Sequence, residues 1–274
     1  MKVVSLVDNL SGKEGIGCEH GLSLYIETTR HKILFDTGAS GLFLENAEKL
    51  NININDVDFA VVSHGHYDHG GGLKRFLEAN PKAKVFVREE AFGKFYARRA
   101  DGRKNYIGLD EELKTDKRMV FTKESFIITE DIGLFSGVKE RELYPSFNKD
   151  LLTENAEGIH EDTFRHEQNL VVTENGKRVL FAGCAHNGIV NIIRRFEKLT
   201  KYPLDYVFAG LHLYNPLTKE TESEEYVARL GEFLKKTKIK FYTCHCTGTE
   251  AYNILKSIMQ NQIQYFAAGD VIDI

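Results

Sequence analysis

The chain has 274 residues, of which 42% are hydrophobic, and no apolar run approaches the roughly eighteen residues that a transmembrane helix needs. Its 36 basic and 40 acidic residues give a net charge of −4, and this balance indicates neither a nucleic-acid nor a membrane partner. Four scattered cysteines do not predict a disulfide framework. The first residues lack a basic segment followed by a long apolar run, so we expect a cytoplasmic protein.

The first ninety residues alternate between strand-like and helical patterns. Apolar runs bounded by turn residues predict five strands, at 2–7, 22–28, 32–36, 59–63 and 84–88. Helical periodicity predicts a helix over 40–50. A second helix is expected over 73–80, because Pro81 would stop it there.

From about residue 90 to residue 165 the pattern is less regular and rich in glycine, charged and aromatic residues. We interpret this stretch as strands with a long insertion, a lid region that covers a pocket. The whole chain, 1–274, is then expected to form a single domain carrying this insertion.

Regular alternation resumes after residue 165. Apolar runs at 170–173 and 178–182 predict a hairpin, because Asn175-Gly176 between them supplies a positive-φ turn. Helices are expected at 189–199, 222–236 and 249–260, and strands at 206–209, 240–243 and 264–267. The pattern predicts an α/β fold in which two sheets pack face to face with helices outside.

The sequence VVSHGHYDHGGG at residues 61–72 concentrates three histidines and an aspartate within six residues. Imidazole and carboxylate groups are ligands of Zn2+, Fe2+ and Mn2+. His64 and His66 stand two apart after a strand, so both rings can point the same way. Asp68 and His69 follow where the chain turns toward a helix, and can face a second metal position. A histidine-rich surface loop is the alternative, but the flanking apolar strand and helix argue against it.

The pattern His64-x-His66-x-Asp68-His69 after an apolar strand resembles the signature of the metallo-β-lactamase superfamily, and LFDTG at residues 34–38 is similar to its early strand. The resemblance implies a four-layer αββα sandwich with a one- or two-metal site where the sheets meet. EHGLSL at 19–24, GCAHNGIVN at 183–191, GLHL at 210–213 and CHCTG at 244–248 resemble its dihydropteroate-synthase-like branch. That branch includes an archaeal enzyme joining a dihydropterin methyl diphosphate to a ribofuranosyl-aminobenzene phosphate.

The resemblance also implies further metal ligands, with one departure. In most of the superfamily an aspartate that ends a strand bridges the two metals, but Gly183-Cys184 stands where Gly-Asp is common. The thiol of Cys184 could ligate zinc or iron, or only pack in the core. His186 and His166 compete for the third position on the first metal, and we favour His186 because it lies in the Gly-Cys-x-His motif.

The second metal is expected to use Asp68, His69 and His245, because His245 matches the final metal histidine of the superfamily. The neighbouring Cys244 and Cys246 are expected to pack, since no second cysteine pair completes a structural zinc site. His212 follows an apolar strand at the same edge, where it is either a structural histidine or a substrate-contacting, proton-transferring residue. His20 presents the same two alternatives.

Zn2+ is the expected metal, one or two per chain, with Mn2+ and Fe2+ as alternatives. Such a metal lowers the pKa of a bound water to about 7, which gives a hydroxide nucleophile. Asp68 is expected to orient the water, and His212 is the residue that could transfer a proton. These two are the catalytic candidates. We expect hydrolysis of an ester or phosphoester of a small molecule. The pterin-type transferase is the alternative, and an iron-loaded redox protein and a non-catalytic metal binder are further ones.

Residues 88–147 hold two further sets of side chains that bear on the substrate. The aromatic set is Phe92, Phe95, Tyr96, Tyr106, Tyr144 and Phe147, and the basic set is Arg88, Lys94, Arg98, Arg99, Arg103 and Lys104. They could wall a pocket for a phosphorylated or heteroaromatic substrate. The alternative is a helix with a solvated basic face and aromatic residues packed beneath it.

Overall fold

A computed structural model describes residues 1–274, with twenty strands and six α-helices. In chain order the strands are β1 (Lys2–Val7), β2 (Ser23–Glu27), β3 (Lys32–Phe35), β4 (Phe59–Val61), β5 (Lys84–Arg88), β6 (Lys94–Arg98), β7 (Lys104–Tyr106), β8 (Met119–Thr122), β9 (Ser125–Thr129), β10 (Ile132–Phe135), β11 (Leu151–Asn155), β12 (Gly158–Glu161), β13 (Asn169–Glu174), β14 (Lys177–Ala182), β15 (Tyr206–Ala209), β16 (Tyr214–Asn215), β17 (Glu220–Thr221), β18 (Lys240–Thr243), β19 (Ile263–Tyr265) and β20 (Val271–Asp273). The helices are α1 (Leu42–Lys49), α2 (Tyr67–Gly70), α3 (Leu73–Ala79), α4 (Ile189–Thr200), α5 (Glu224–Thr237) and α6 (Thr249–Met259).

Two seven-stranded sheets form the centre of the fold. The first has the order β20-β1-β2-β3-β4-β5-β8, and the second has the order β19-β18-β15-β14-β13-β10-β9. Each sheet has an antiparallel part and a parallel part. The parallel part is β3-β4-β5-β8 in the first sheet and β14-β15-β18-β19 in the second. Loops that leave the parallel strands at their carboxyl ends therefore gather along one edge.

Three apolar layers hold the sheets and helices together. Side chains alternate along each strand, so that Ile33 and Phe35 of β3 face the second sheet while Leu34 faces the helices. One apolar layer lies between the two sheets, one covers the first sheet with α1 and α3, and one covers the second sheet with α4, α5 and α6. This is the predicted four-layer αββα sandwich.

The predicted elements outside 90–165 are all present, with ends that differ from the prediction by at most two residues. The hairpin between β13 and β14 turns at Asn175 and Gly176, whose φ values of 52° and 75° confirm the positive-φ turn. The strand predicted at 264–267 instead spans Ile263–Tyr265, because parallel pairing with β18 sets its limits.

The stretch 90–165 divides between the main sheets and a small one. Strand β8 pairs with β5, and β9 and β10 complete the second sheet. The remaining strands form a separate sheet of order β12-β11-β6-β7. The alternative of a basic helix is wrong here, because residues 94–98 and 104–106 are strands. None of the six helices has the length and apolar character needed to cross a bilayer.

Candidate metal centre

The loop after β4 is fixed by the carboxylate of Asp36, the residue after β3. This carboxylate accepts a hydrogen bond from the backbone N–H of Ser63 at 2.7 Å and another from the Ser63 hydroxyl at 2.7 Å. Its Oδ2 atom also lies 2.7 Å from Nδ1 of His69. Asp36 is buried and has a φ of 61°, so the strand end bends to place the carboxylate under the loop.

Four histidine rings at this edge are held in the same way, through Nδ1. The Nδ1 contacts are His64 to Ser63 Oγ at 2.8 Å, His69 to Asp36 Oδ2 at 2.7 Å, His186 to Asn148 Oδ1 at 3.1 Å and His245 to Asn9 Oδ1 at 2.8 Å. Because each Nδ1–H donates to an oxygen, the hydrogen-bond network assigns the coordinating lone pair to Nε2. Each Nε2 atom points toward the interior of the site.

A first ligand group consists of His64, His66 and His186. The Nε2 atoms of His64 and His186 lie 3.3 Å apart. The ring centroid of His66 is 4.6 Å from that of His64 and 5.0 Å from that of His186. Its Nε2 is buried and has no hydrogen-bond partner in the protein.

A second ligand group consists of Asp68, His69 and His245. The Nε2 atoms of His69 and His245 lie 3.2 Å apart, and Asp68 Oδ2 lies 3.2 Å from His245 Nε2 and 3.9 Å from His69 Nε2. The short helix α2 places Asp68 and His69 at its start, and the turn His245–Thr247 follows β18. Residues far apart in the chain thus meet at the edge where the sheets end.

Cys184 lies between the two groups. Its Sγ atom is within 4.8 Å of ligand atoms of His64 and His186, and also within 4.8 Å of those of Asp68, His69 and His245. The Sγ to His69 Nε2 distance is 3.1 Å. The thiol therefore lies at the shared position where a bridging carboxylate would stand.

The surroundings set the protonation of these groups. Burial lowers the pKa of His66 to about 3, and burial with the neighbouring imidazoles holds the pKa of His64 and His186 well below the usual value. Burial alone would raise the pKa of Asp68, but His69 and its other imidazole neighbours outweigh it and lower the pKa. Neutral imidazoles around an ionised carboxylate are the protonation states that bind a divalent metal.

His69 differs from the other rings. Burial acts to lower its pKa, but the charges of Asp36 and Asp68 outweigh burial and raise the pKa to about 9. Without a metal its Nε2 therefore carries a proton that faces His245, and metal binding would displace that proton.

The nitrogen spacing fits a metal. The rings of His64 and His186 are neutral and donate through Nδ1, so their Nε2 atoms turn only lone pairs toward each other. At the observed Nε2–Nε2 distance of 3.3 Å this is unfavourable unless a cation lies between them. Zinc–nitrogen bonds of about 2.05 Å in a tetrahedral site separate two ligand nitrogens by roughly 3.3 Å. The distances of 3.3 Å and 3.2 Å in the two groups match this separation.

His166 is placed differently from His186. Its Nδ1 accepts the backbone N–H of Gly65 at 2.9 Å, and its Nε2 lies 2.9 Å from Asp162 Oδ2. His66, Asp162 and His166 also lie within 4.8 Å of one another, but both nitrogens of His166 are already engaged. The geometry favours His186 as the ligand and gives His166 the role of supporting the loop at Gly65.

A pocket of about 430 Å³ opens onto the site. His66, Asp68, Cys184, His186 and His245 line its floor. Its other lining residues are His20, Tyr67, Ala97, Arg99, Asn105, Tyr106, Ile107, Phe147, Asp150, Leu151, His212, Tyr214, Asn215, Pro216, Leu217 and Cys246. The small sheet contributes part of this lining, and the ligand groups are open to solvent through the pocket.

His20 and His212 both stand at this pocket. His20 Nε2 lies 3.2 Å from Asp68 Oδ2, and its ring centroid lies 4.9 Å from that of His245. His212 is buried, its ring centroid lies 4.3 Å from that of His186, and neither ring nitrogen has a hydrogen-bond partner. His212 is thus not held by the protein in the way that the four Nδ1-bonded rings are.

The sequence profile of the metallo-beta-lactamase superfamily matches residues 16–210, more than half of the chain. The chain belongs to the metallo-β-lactamase superfamily. This match confirms the superfamily that the histidine motif predicted, and with it the predicted fold.

Relatives of this metallo-β-lactamase chain match it from end to end. An uncharacterized protein of Methanocaldococcus jannaschii is 30% identical over 98% of both chains. The 7,8-dihydropterin-6-methyl-4-(beta-D-ribofuranosyl)-aminobenzene-5'-phosphate synthase of the same organism is 26% identical, over 99% of this chain and 96% of its own. A crystal structure named as a metal-dependent hydrolase of the beta-lactamase superfamily superposes with a TM-score of 0.84 at 29% identity, covering 100% and 99% of the two chains.

Some contributors to this metallo-β-lactamase site are absent from the sequence prediction. Asn9 and Asn148 orient His245 and His186, and Cys246 approaches Cys184, although we expected it only to pack. Neither asparagine lies in a motif, so only the folded chain shows its role. Of the two substrate-binding sets, only Arg99, Tyr106 and Phe147 line the pocket.

Proposed function

We propose that the chain is a metal-dependent hydrolase that cleaves an ester or phosphoester of a small molecule in this pocket. The observation that carries the proposal is that one pocket opens onto both ligand groups. When bound there, a divalent metal such as Zn2+ lowers the pKa of water and polarises a carbonyl or phosphoryl oxygen.

The chain's own side chains supply the remaining functions. Asp68 is held by His20 and His245, each at 3.2 Å from Oδ2, and can orient a water through its other oxygen. His212 has two unpartnered ring nitrogens at the pocket wall, so it can give a proton to a leaving group. These roles correspond to the two catalytic candidates from the sequence.

The lining also supports a substrate class. Arg99 is the one arginine of the pocket wall, and no lysine stands there. A guanidinium binds one phosphate group in a bidentate manner. Tyr106 and Phe147 offer aromatic faces beside it. We therefore propose a substrate with a single phosphate group and a flat ring.

The pterin-type transferase is the second candidate. It is supported by the full-length similarity to the archaeal synthase, at 26% identity over 99% of this chain. Loss of diphosphate from a dihydropterin methyl diphosphate needs the same polarisation of a phosphoryl oxygen as hydrolysis does. This candidate predicts turnover only when the diphosphate and the arylamine acceptor are both present.

The test compares substrates on protein reloaded with Zn2+ or Mn2+. We expect p-nitrophenyl phosphomonoesters, phosphodiesters or acetate to be hydrolysed, and His66→Ala to abolish turnover and lower metal content in a folded protein. His160→Ala is the control, because His160 is exposed on β12. Product formed only from the paired pterin substrates would establish the transferase, and full activity of His66→Ala would rule out metal catalysis at this centre.

A further inference from the structure

Three groups at the wall of the pocket lie close together, and two of them, the Cys246 thiol and the His212 ring, make no hydrogen bond to the two ligand groups. These are the thiol of Cys246, the ring of His212 and the thiol of Cys184, which faces them as well as the histidines. One ligand atom from each of the three residues lies within 4.8 Å of the others, and all three are buried. All three also line the pocket.

We propose that Cys184, His212 and Cys246 bind a further divalent metal, a Cys2His site that shares the Cys184 thiolate with the histidine groups. The ion would be a borderline or soft one, such as Zn2+ or Co2+. The inference rests on the pocket of the proposed function and replaces one of its assignments, because a His212 ring that binds this ion acts as a ligand and not as the proton donor.

The unpartnered ring of His212 is the first support. It is 8% exposed, and neither Nδ1 nor Nε2 has a hydrogen-bond partner. A buried imidazole without any partner is costly, and most buried polar groups in proteins are satisfied. A metal ion in reach of the ring would satisfy one of its nitrogens.

The position of the Cys246 thiol is the second support. The backbone N–H of His212 donates to Sγ at 3.2 Å, an arrangement that stabilises a thiolate. Gly210 leaves the space that the sulfur fills, because a Cβ atom there would lie 2.6 Å from Sγ. The chain thus brings two motifs, at 210–213 and 244–248, into contact through this sulfur.

The coordination chemistry is the third support. Zinc–sulfur bonds of about 2.3 Å place two tetrahedral thiolate ligands roughly 3.8 Å apart, within the spacing of this group. Catalytic zinc sites have three protein ligands and an open fourth position, whereas structural sites have four protein ligands. Two thiolates and one imidazole match the catalytic type. The open position here would face the pocket.

Cobalt substitution tests the proposal by counting thiolate ligands. The full-length chain, metal-depleted and reduced under nitrogen, is titrated with Co2+ while near-ultraviolet thiolate-to-cobalt charge-transfer absorption is recorded. With Cys184 and Cys246 both bound, and Cys184 shared by up to three ions, we expect Cys246→Ala to remove at least about a quarter of the saturated intensity. The double variant with Cys184→Ala should remove all of it. Cys244→Ala is the matched control, because Cys244 and Cys246 are 1% and 4% exposed. Cys18→Ala controls for the exposed thiol.

A gain of signal guards against variants that fail to fold. His212→Cys places a third thiol in the group, so the saturated intensity should rise above that of the wild type by at least about a quarter. An intensity unchanged by Cys246→Ala, or His212→Cys without the gain, would overturn the proposal. Hydrolysis is measured on the same samples. If the protein hydrolyses the substrate but has no Cys246-dependent absorption band, the Cys2His site alone is refuted. If the band is present without hydrolysis, only the proposed function is refuted.

Discussion

Oδ2 of Asp36 lies 2.7 Å from Nδ1 of His69, and this contact ties the end of β3 to the metal-ligand loop. The same carboxylate holds Ser63, which in turn accepts from Nδ1 of His64. One buried acid therefore orients a ligand in each of the two groups.

The first prediction concerns this acid. Asp36→Asn keeps a residue that tolerates the observed φ of 61°, but it removes the negative charge and one acceptor oxygen. We expect metal affinity to fall by about 10–100-fold, the usual cost of losing such a supporting contact. Competition with a chromogenic chelator measures it.

The control for Asp36→Asn is Asp56→Asn. Asp56 pairs with Lys32 at 3.2 Å at the surface and contacts no ligand, so its loss should leave metal affinity unchanged. Equal affinities for Asp36→Asn and the wild type would mean that the ligand rings are held without the acid.

The second prediction separates the two competing histidines. Removing the ring of His186 opens the first group, so His186→Ala should lose about one equivalent of metal from that group. His166→Ala should keep its metal but unfold more easily by about 1–3 kcal/mol, because Asp162 and the N–H of Gly65 lose a buried partner. Metal per chain by plasma mass spectrometry and urea unfolding give the two values. The reverse pattern would make His166 the ligand.

Much of this architecture can be predicted from the sequence. The apolar runs of β1, β5, β15 and β18 are bounded so clearly by polar or turn residues that their predicted limits match the observed ones. The histidine motif could be located because its ligands lie within six residues of one another. Local signals of this kind need no knowledge of how the sheets pack.

What could not be predicted depends on contacts between distant segments. Asn148 reaches His186 from 38 residues away, and Asn9 reaches His245 from 236 residues away. Cys246 similarly meets Cys184 across 62 residues. No periodicity or motif marks Asn9 or Asn148, and the motifs that contain the two cysteines do not show that they meet, since these contacts follow from the packing of the two sheets.

The third prediction tests one of these distant contacts. Asn148→Ala removes the acceptor of the His186 Nδ1–H, so the ring is no longer fixed and metal affinity at the first group should fall by about tenfold. In a His186→Ala background the same substitution should cost nothing further, because the two residues act as one unit. Additive losses in the double variant would show that Asn148 acts independently of His186.

The fourth prediction concerns metal removal. The metal-depleted site keeps the Nε2 atoms of His64 and His186 at 3.3 Å with no cation between them, so depletion should lower the stability of the folded chain. A free metal concentration of 100 times Kd contributes about 2.7 kcal/mol to the free energy of unfolding. For a chain of this size that corresponds to a rise in Tm of about 5 °C or more on reloading with Zn2+. Calorimetry of depleted and reloaded protein measures this rise in Tm. The control is the double variant His64→Ala/His245→Ala, which lacks a ligand in each group and should show only a small rise. An equal shift in that variant would place the stabilising metal outside the two histidine groups.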